Sequence, residues 1–231
     1  MTFGGIDPTV PGLVAWVGLE IQPIAGLDVN LFSLPSRPGA VLARRDRGTK
    51  EIKLTFAVLG STDSFFAAVD GLNAWAWSDE PQELVLDAGR AYNAILTATD
   101  AAILETGARL SYTFTSLDGI GYGAELTLTI TEDGVYAPNE GTAPAPWKIA
   151  YTPETAAAEL TWTSGQGALT LAGNIPAGAE IVIDSAKEYI TIGGQSAMEM
   201  VTLGSRFFSI QPGGLTVQGP GGELSYREAW L

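Results

Sequence analysis

An all-β chain with one short helix is what this sequence predicts, on three observations. Gly and Pro are abundant, 28 and 13 of 231 residues, and they punctuate short apolar runs. Those runs alternate with the period of a strand. The clearest is 50–59, where Ile52, Leu54, Phe56 and Val58 share one face and Glu51, Lys53 and Thr55 the other. One segment, 61–77, changes instead to a spacing of three to four residues. Apolar residues make up 46% of the chain, so one large or two modest packed cores are expected.

The elements follow in order. Residues 10–20 are apolar, Gly-punctuated and β-branched, which predicts a strand or two with Trp16 on a buried face. Residues 33–50 hold Pro35, Pro38, Gly39 and Gly48 among Arg37, Arg44, Arg45, Arg47 and Lys50. So many like charges resist burial, and an exposed arm or long hairpin is expected. The strand at 50–59 ends at Gly60. In the helix at 61–77, Asp63 is a capping candidate, and Phe66, Val69, Leu72 or Asn73, and Ala76 form the expected buried stripe. Ser78-Asp79-Glu80-Pro81 stops it. Strands are expected at 83–87, 91–97, 109–115 and 124–131, with a turn at 87–90.

Residues 137–146, APNEGTAPAP, carry three prolines and no bulky apolar side chain, which predicts a linker. Strands follow at 159–163, 168–171, 180–184, 189–192, 207–210, 215–218 and 223–227, separated by Gly and Pro turns. That regular spacing predicts a β-sandwich. The expected division is 1–136, a linker at 137–146, and 147–231, with the last strand free to complete either domain.

Composition removes whole classes of chemistry. The chain has no Cys and no His. Disulfides, thiolate catalysis, Cys- or His-based metal sites and a Ser-His-Asp triad are excluded. The net charge is -14 and uneven: residues 1–60 carry six basic and five acidic side chains, residues 61–231 six and twenty-one. Binding to nucleic-acid phosphates is disfavoured, although a passage that DNA crosses without sticking is compatible. The first residues lack the pattern of a signal peptide, and no apolar run is long enough to span a membrane. A soluble protein made without secretion is expected.

Few motifs suggest catalysis. Gly119-Ile-Gly121-Tyr-Gly123 echoes a phosphate loop, but a strand and not a helix follows it, so a hairpin tip is expected. Glu154, Glu159, Glu180, Asp184 and Glu188 offer a route to carboxylate-based glycoside hydrolysis, whose required separation no sequence shows. Calcium loops of the EF-hand type are absent. No enzymatic activity, cofactor or metal is predicted.

Two stretches resemble the siphophage distal tail protein family. From Arg44 to Thr97 come an arginine-bearing loop, the alternating strand, a helix ending in LNAWAW, the break at Pro81, the strand Leu84-Val85-Leu86, a turn with Arg90 and a strand from Tyr92. The last 27 residues place Phe207-Phe208, Pro212-Gly213, Leu215–Val217, Gly219–Gly222, Tyr226-Arg227 and Trp230-Leu231 in the family's closing order. The chain departs from the family's usual Asp-Pro with Asp133-Gly134, and from its usual Asn after the Pro-Gly turn with Gly214-Leu215.

The resemblance implies a β-rich N-terminal belt domain that forms a homohexameric ring around a channel, and a C-terminal sandwich of galectin or carbohydrate-binding-module type. It implies a virion structural protein at the tail tip, assembled in the host cytoplasm. Its partners would be itself, the tail tube protein, the tail-tip hub, the tape-measure protein and a receptor-binding protein. Neither sequence-specific nucleic-acid binding nor membrane insertion is implied.

Arg44, Arg45, Arg47 and Lys50 are candidate interface residues, as a docking surface for an acidic neighbour such as the next copy, or else a solvated loop. Trp75 and Trp77 stand two apart on the helix and cannot both face one core, which makes them interface candidates too. The alternative function is a carbohydrate-binding adhesin, with Trp147 and Trp162 as stacking platforms, set against a core position for most of the six tryptophans, Trp16, Trp75 and Trp162 among them.

Overall fold

In the computed structural model, which describes residues 1–8, 14–33, 40–59, 62–86, 89–104 and 107–231, strands dominate and one α-helix stands among the described residues. The chain divides into two compact units, Met1–Gly121 with Leu231, and Tyr122–Trp230.

In the first unit, β1 (Thr2–Phe3), β2 (Val14–Ile21), β3 (Leu27–Ser33), β4 (Ala40–Arg47) and β5 (Lys50–Leu59) precede α1 (Thr62–Ala76). Then come β6 (Gln82–Val85), β7 (Ala91–Leu104) and β8 (Gly107–Ser116). The sheet runs β2–β5–β8–β7–β6–β1, antiparallel throughout. β3 and β4 pair only with each other, so the basic segment forms a hairpin. The side chains of Arg44, Arg45, Trp16 and Asp63 lie outside the described residues.

α1 covers one face of this sheet. Ile52, Leu54, Phe56 and Val58 of β5 meet Leu110, Tyr112 and Phe114 of β8 beneath Ala68, Leu72, Trp75 and Ala76. Of the expected stripe, Val69, Leu72 and Ala76 pack on the core, while Phe66 is exposed; Phe65, Ala68 and Trp75 widen the buried face. Trp75 anchors this face. The Trp75 ring makes edge contacts with Phe3, Phe56, Tyr112 and Phe114 at 5.8–6.5 Å, and its indole N–H donates to the Ile6 carbonyl at 2.9 Å. Each such aromatic pair adds about 1 kcal/mol beyond its buried area.

The second unit holds nearly all of β9 (Gly121–Thr129), then β10 (Val135–Ala137), β11 (Trp147–Tyr151), β12 (Ala157–Ser164), β13 (Gly167–Ile175), β14 (Ile181–Asp184), β15 (Tyr189–Ile192), β16 (Gln195–Ser196), β17 (Leu215–Gln218) and β18 (Glu223–Trp230). One sheet runs β9–β18–β11–β14–β15–β16, the other β10–β17–β12–β13. They enclose a core of Trp147, Ile149, Trp162, Leu169, Leu171, Ile181, Ile183, Val217 and Leu224. The strand expected at 207–210 is absent; Ile210 makes an isolated bridge to Ala145.

Two expectations about domains need correction. The units meet at Gly121/Tyr122, ahead of the boundary expected at 136. Residues 137–146 are no linker. Burial alternates along them: Ala137, Asn139, Gly141, Ala143 and Ala145 are buried, while Pro138, Glu140, Thr142 and Pro144 are exposed. Ala143 bridges to Ala229 of β18, and Ala145 to Ile210. The small side chains permit close backbone approach. A Cβ on Gly141 would lie 1.9 Å from the Ala229 carbonyl oxygen. A composition that reads as flexible is here a tightly packed extended segment. β18 pairs with β11 inside the second unit.

Candidate functional site

The parity of β5 decides the fate of its first residue. Lys50 lies on the same face as Ile52, Leu54 and Phe56, which places it in the core-facing row. It is 2% exposed. Its ammonium stands 5.8 Å from the centroid of the Tyr92 ring. Burial first, then the charges of Arg90 and Arg47, hold its pKa below the usual lysine range. Arg47, at the end of β4, is exposed. The structure thus brings two of the expected basic residues to one place and adds Arg90. This corrects the exposed arm expected at 33–50 at its last residue; Arg90 and Tyr92 come from a different hairpin, and no local pattern pointed to them.

The two helix tryptophans part company. Trp75 is 7% exposed and is core, which corrects its assignment to an interface. Trp77, just beyond the helix end, is 71% exposed. On a helix two residues span about 200° of rotation, so one core cannot hold both.

The opposite face of the first unit's sheet is polar. Thr55 and Ser111 hydroxyls lie 3.3 Å apart, those of Thr97 and Thr115 2.8 Å, and Lys53 pairs with Glu20 at 3.7 Å. Threonines suit a half-exposed pleat, and cross-strand hydroxyl pairs hold its register.

In the second unit the structure overturns the stacking platforms. Trp147 is 1% exposed and Trp162 is fully buried. Neither presents a ring face to a sugar. Trp147 packs on Phe208 at 4.6 Å and donates its indole N–H to the Phe208 carbonyl at 2.7 Å. Trp162 meets Tyr151 edge-on at 6.0 Å and donates to the Gly221 carbonyl at 3.2 Å. Inward parity on β11 and β12 makes both rings core.

A cleft of about 180 Å³ opens over β9, β18, β11 and β14, with Tyr122, Glu125, Lys148, Asp184 and Arg227 at its walls. Lys148, Asp184 and Arg227 have internal partners. Lys148 pairs with Asp184 at 3.6 Å, and Asp184 Oδ1 also accepts the backbone N–H groups of Ala186 and Lys187. Arg227 Nε donates to the Gly123 carbonyl at 2.6 Å, and its guanidinium lies over Tyr122. Of the five carboxylates considered for hydrolysis, Asp184 alone lines this cleft; Glu154, Glu159, Glu180 and Glu188 are exposed elsewhere. Glu125 is the cleft's other carboxylate, and Asp184 is held by Lys148 and two backbone N–H groups, unlike the free acid and base of a glycoside hydrolase. Among the described residues no cluster of acidic side chains has the form of a metal site.

Comparison with known proteins agrees with this picture. Residues 140–230 match the model of the siphovirus-type tail component, C-terminal domain. No curated protein sequence matches the chain. Among solved structures, the crystal structure of the SPP1 Dit protein, described as a paradigm of the hub adsorption apparatus of phages infecting Gram-positive bacteria, superposes with a TM-score of 0.84 at 15% identity. The match covers 100% of this chain and 98% of that one. A chain of the phage P2 baseplate in its calcium-activated conformation matches with a TM-score of 0.49 at 10% identity, over 94% of this chain and 91% of that one. Residues 140–230 thus match the siphovirus-type tail component domain, and the chain along its whole length has the fold of the SPP1 Dit protein.

Proposed function

We propose that this protein is a ring-forming distal tail adaptor, a non-enzymatic virion component that joins the tail tube to the tail-tip hub and receptor-binding apparatus around a central channel. The observation that carries this reading is the agreement of the whole chain, both units included, with the SPP1 Dit fold. Six copies would close the ring head to tail. A heterologous contact of that kind closes when its rotation divides a full turn. The tape-measure protein and the receptor-binding protein are the further partners, and assembly takes place in the host cytoplasm.

The chemistry of the two units supports a role in interfaces. The polar sheet face of the first unit, with Lys53, Thr55, Thr97, Ser111, Thr113 and Thr115, suits a wall that meets water and passing DNA without strong attraction. Exposed Trp77 and the basic hairpin suit subunit contacts, where Trp and Arg are favoured. In the cleft of the second unit Lys148, Asp184 and Arg227 are internally matched, which leaves shape, apolar surface and Glu125 as its means of recognition.

Native mass of the purified chain, by light scattering or native mass spectrometry, tests the reading. A discrete assembly of six copies, or a pair of such rings, is the expected result. A strict monomer at high concentration, with no assembly on addition of a tail-tube or hub protein, would overturn it.

A further inference from the structure

We propose that the outer face of α1, from Phe66 to Trp77, is the seat of the β3–β4 hairpin of a second copy of this chain, with guanidinium groups of that hairpin on the Trp77 ring and the acids beside it. The proposal rests on the ring reading above and names two surfaces that meet in it.

The helix face comes first. Ala68, Leu72, Trp75 and Ala76 turn to the core and leave the opposite side of α1 in solvent. That side carries Phe66, 59% exposed, and Trp77, 71% exposed. Eleven residues make three turns of helix to within about 20°, so the two rings share one face about 16 Å apart. The Trp77 N–H still donates to the Asn73 carbonyl at 3.0 Å, which holds Trp77 to the end of the helix. Between the rings stand exposed Ala67, Asp70, Asn73 and Ala74, whose short side chains make a shallow floor.

The charges at the end of the helix are unbalanced. The last turn of α1 has no basic residue, and exposed Asp79 and Glu80 follow it. A helix C-terminus carries partial negative charge and favours cations, so this acidic pair opposes the dipole. Residues 54–89 contain six acidic side chains and no basic one. Among the described residues neither Asp79 nor Glu80 has a cationic partner. A local rule broken in this way, beside an uncovered Trp ring, marks a surface that a cation completes.

The hairpin supplies the complement. β3 and β4 pair only with each other, and a two-stranded ribbon alone is marginal in water. Residues 27–47 carry four basic and two acidic side chains. Leu27 pairs with Arg47, and Val29 with Arg45. Cross-strand partners lie on one face of a ribbon. Leu27, Val29 and Arg47 are all exposed. An apolar row edged by guanidinium groups matches a helix face of two aromatic rings edged by carboxylates. Helix and hairpin are different surfaces, so the contact is heterologous, as a ring requires.

The test follows self-association of the full chain by light scattering across concentration at low and high salt, alongside the melting temperature of the dissociated chain. Arg45→Glu/Arg47→Glu on the hairpin and Asp79→Lys/Glu80→Lys after the helix should each weaken assembly at least about tenfold at low salt. Every copy carries both surfaces, so a chain with all four changes should regain most of that loss. Trp77→Ala should weaken assembly at both salt concentrations. None of these changes should lower the melting temperature. The control Glu132→Lys/Asp133→Lys, an exposed pair of the second unit, should leave assembly unchanged.

If wild type assembles and either reversal assembles equally well, the contact is overturned and the ring reading stands. A four-site variant that assembles no better than its parents would show that the two surfaces do not meet, and would also overturn it. So would an equal loss from the control pair, or assembly and melting temperature falling together in the reversals. Loss of tail-tube binding in Trp77→Ala with self-association intact would assign the face to that partner instead. Wild type that never self-associates, alone or with its tail partners, would remove the contact and the ring reading together.

Discussion

The hydroxyl of Tyr112 on β8 donates to Oδ1 of Asn73 in the last turn of α1, across 2.8 Å. This bond fixes the helix lengthwise on the sheet at the place where Trp75 enters its aromatic pocket. Tyr112→Phe keeps the ring and its edge contacts and loses this bond. It should cost about 1 kcal/mol by urea denaturation. A loss several times larger would mean that the hydroxyl has a role beyond this pair.

Alkaline pH should weaken the fold in a defined window. Burial pushes Tyr112 up to about 12. Burial, with Glu228 and Tyr136 adding to it, does the same to Tyr226, whose hydroxyl donates to the Pro138 carbonyl at 2.7 Å. The ordinary value is 10.0. Between the two values the unfolded chain loses these protons and the folded chain keeps them, so the folded state is disfavoured as pH rises. Their contribution is complete below pH 10 and is lost as pH climbs towards 12. Urea midpoints should be flat to about pH 10 and fall beyond it, less steeply in Tyr112→Phe. Midpoints that hold level to pH 12 would refute the assignment.

Trp75 and Trp77 should separate stability from assembly. Trp75→Ala empties an aromatic site in the core and should cost about 4 kcal/mol, enough to unfold a marginal domain. Trp77→Ala should change stability by less than about 0.5 kcal/mol. In the ring reading the same change weakens self-association. A Trp77→Ala chain that melts and assembles like wild type would remove Trp77 from the interface.

The segment 137–146 should prove intolerant of change. Asn139 Nδ2 donates to the carbonyls of Ala143 and Ile210, each at 2.9 Å, and its Oδ1 accepts the Gly141 N–H at 3.0 Å. The Ile210 carbonyl also accepts the Ala145 N–H, so Asn139→Ala strips this partner from the Ala143 carbonyl and the Gly141 N–H and should cost about 2 kcal/mol. Gly141→Ala drives a methyl into the Ala229 carbonyl and should cost at least about 2 kcal/mol. Proteolysis tells the same story: cleavage within 137–146 under native conditions would contradict the packing, since a buried segment must open before it is cut.

Ser185 should matter more than its turn position suggests. Its Oγ accepts the Trp147 N–H at 2.6 Å and donates to the Trp147 carbonyl at 2.8 Å, which pins the start of β11. Ser185→Ala should cost about 1–2 kcal/mol, measured by thermal unfolding monitored through tryptophan fluorescence. No change in midpoint would show that water replaces the hydroxyl at both groups.

The strands were legible because polarity alternates along them. The row Ile52–Leu54–Phe56–Val58 faces the core as its spacing required, and the Gly and Pro turns of the second half fall between strands. The same rule carried further places Lys50 inside, but its charge and its arginine neighbours suggested an exposed arm. Trp147 and Trp162 looked like platforms by residue type, yet their parity makes them core. For 137–146, three prolines and the lack of bulky side chains suggested a linker, while small side chains are also what a close approach to β18 needs.

By itself, then, the sequence determined the strand-rich class, the single helical segment, the exclusion of Cys and His chemistry, and the order of motifs that resembles a distal tail protein. Periodicity and composition are local properties, and they set which faces seek water. Tertiary structure alone decided the aromatic pocket that takes Trp75, the burial of the supposed linker, and the place of Lys50 beside Tyr92. Those depend on which distant side chains fill the same space, and on a buried ammonium meeting a ring from another hairpin.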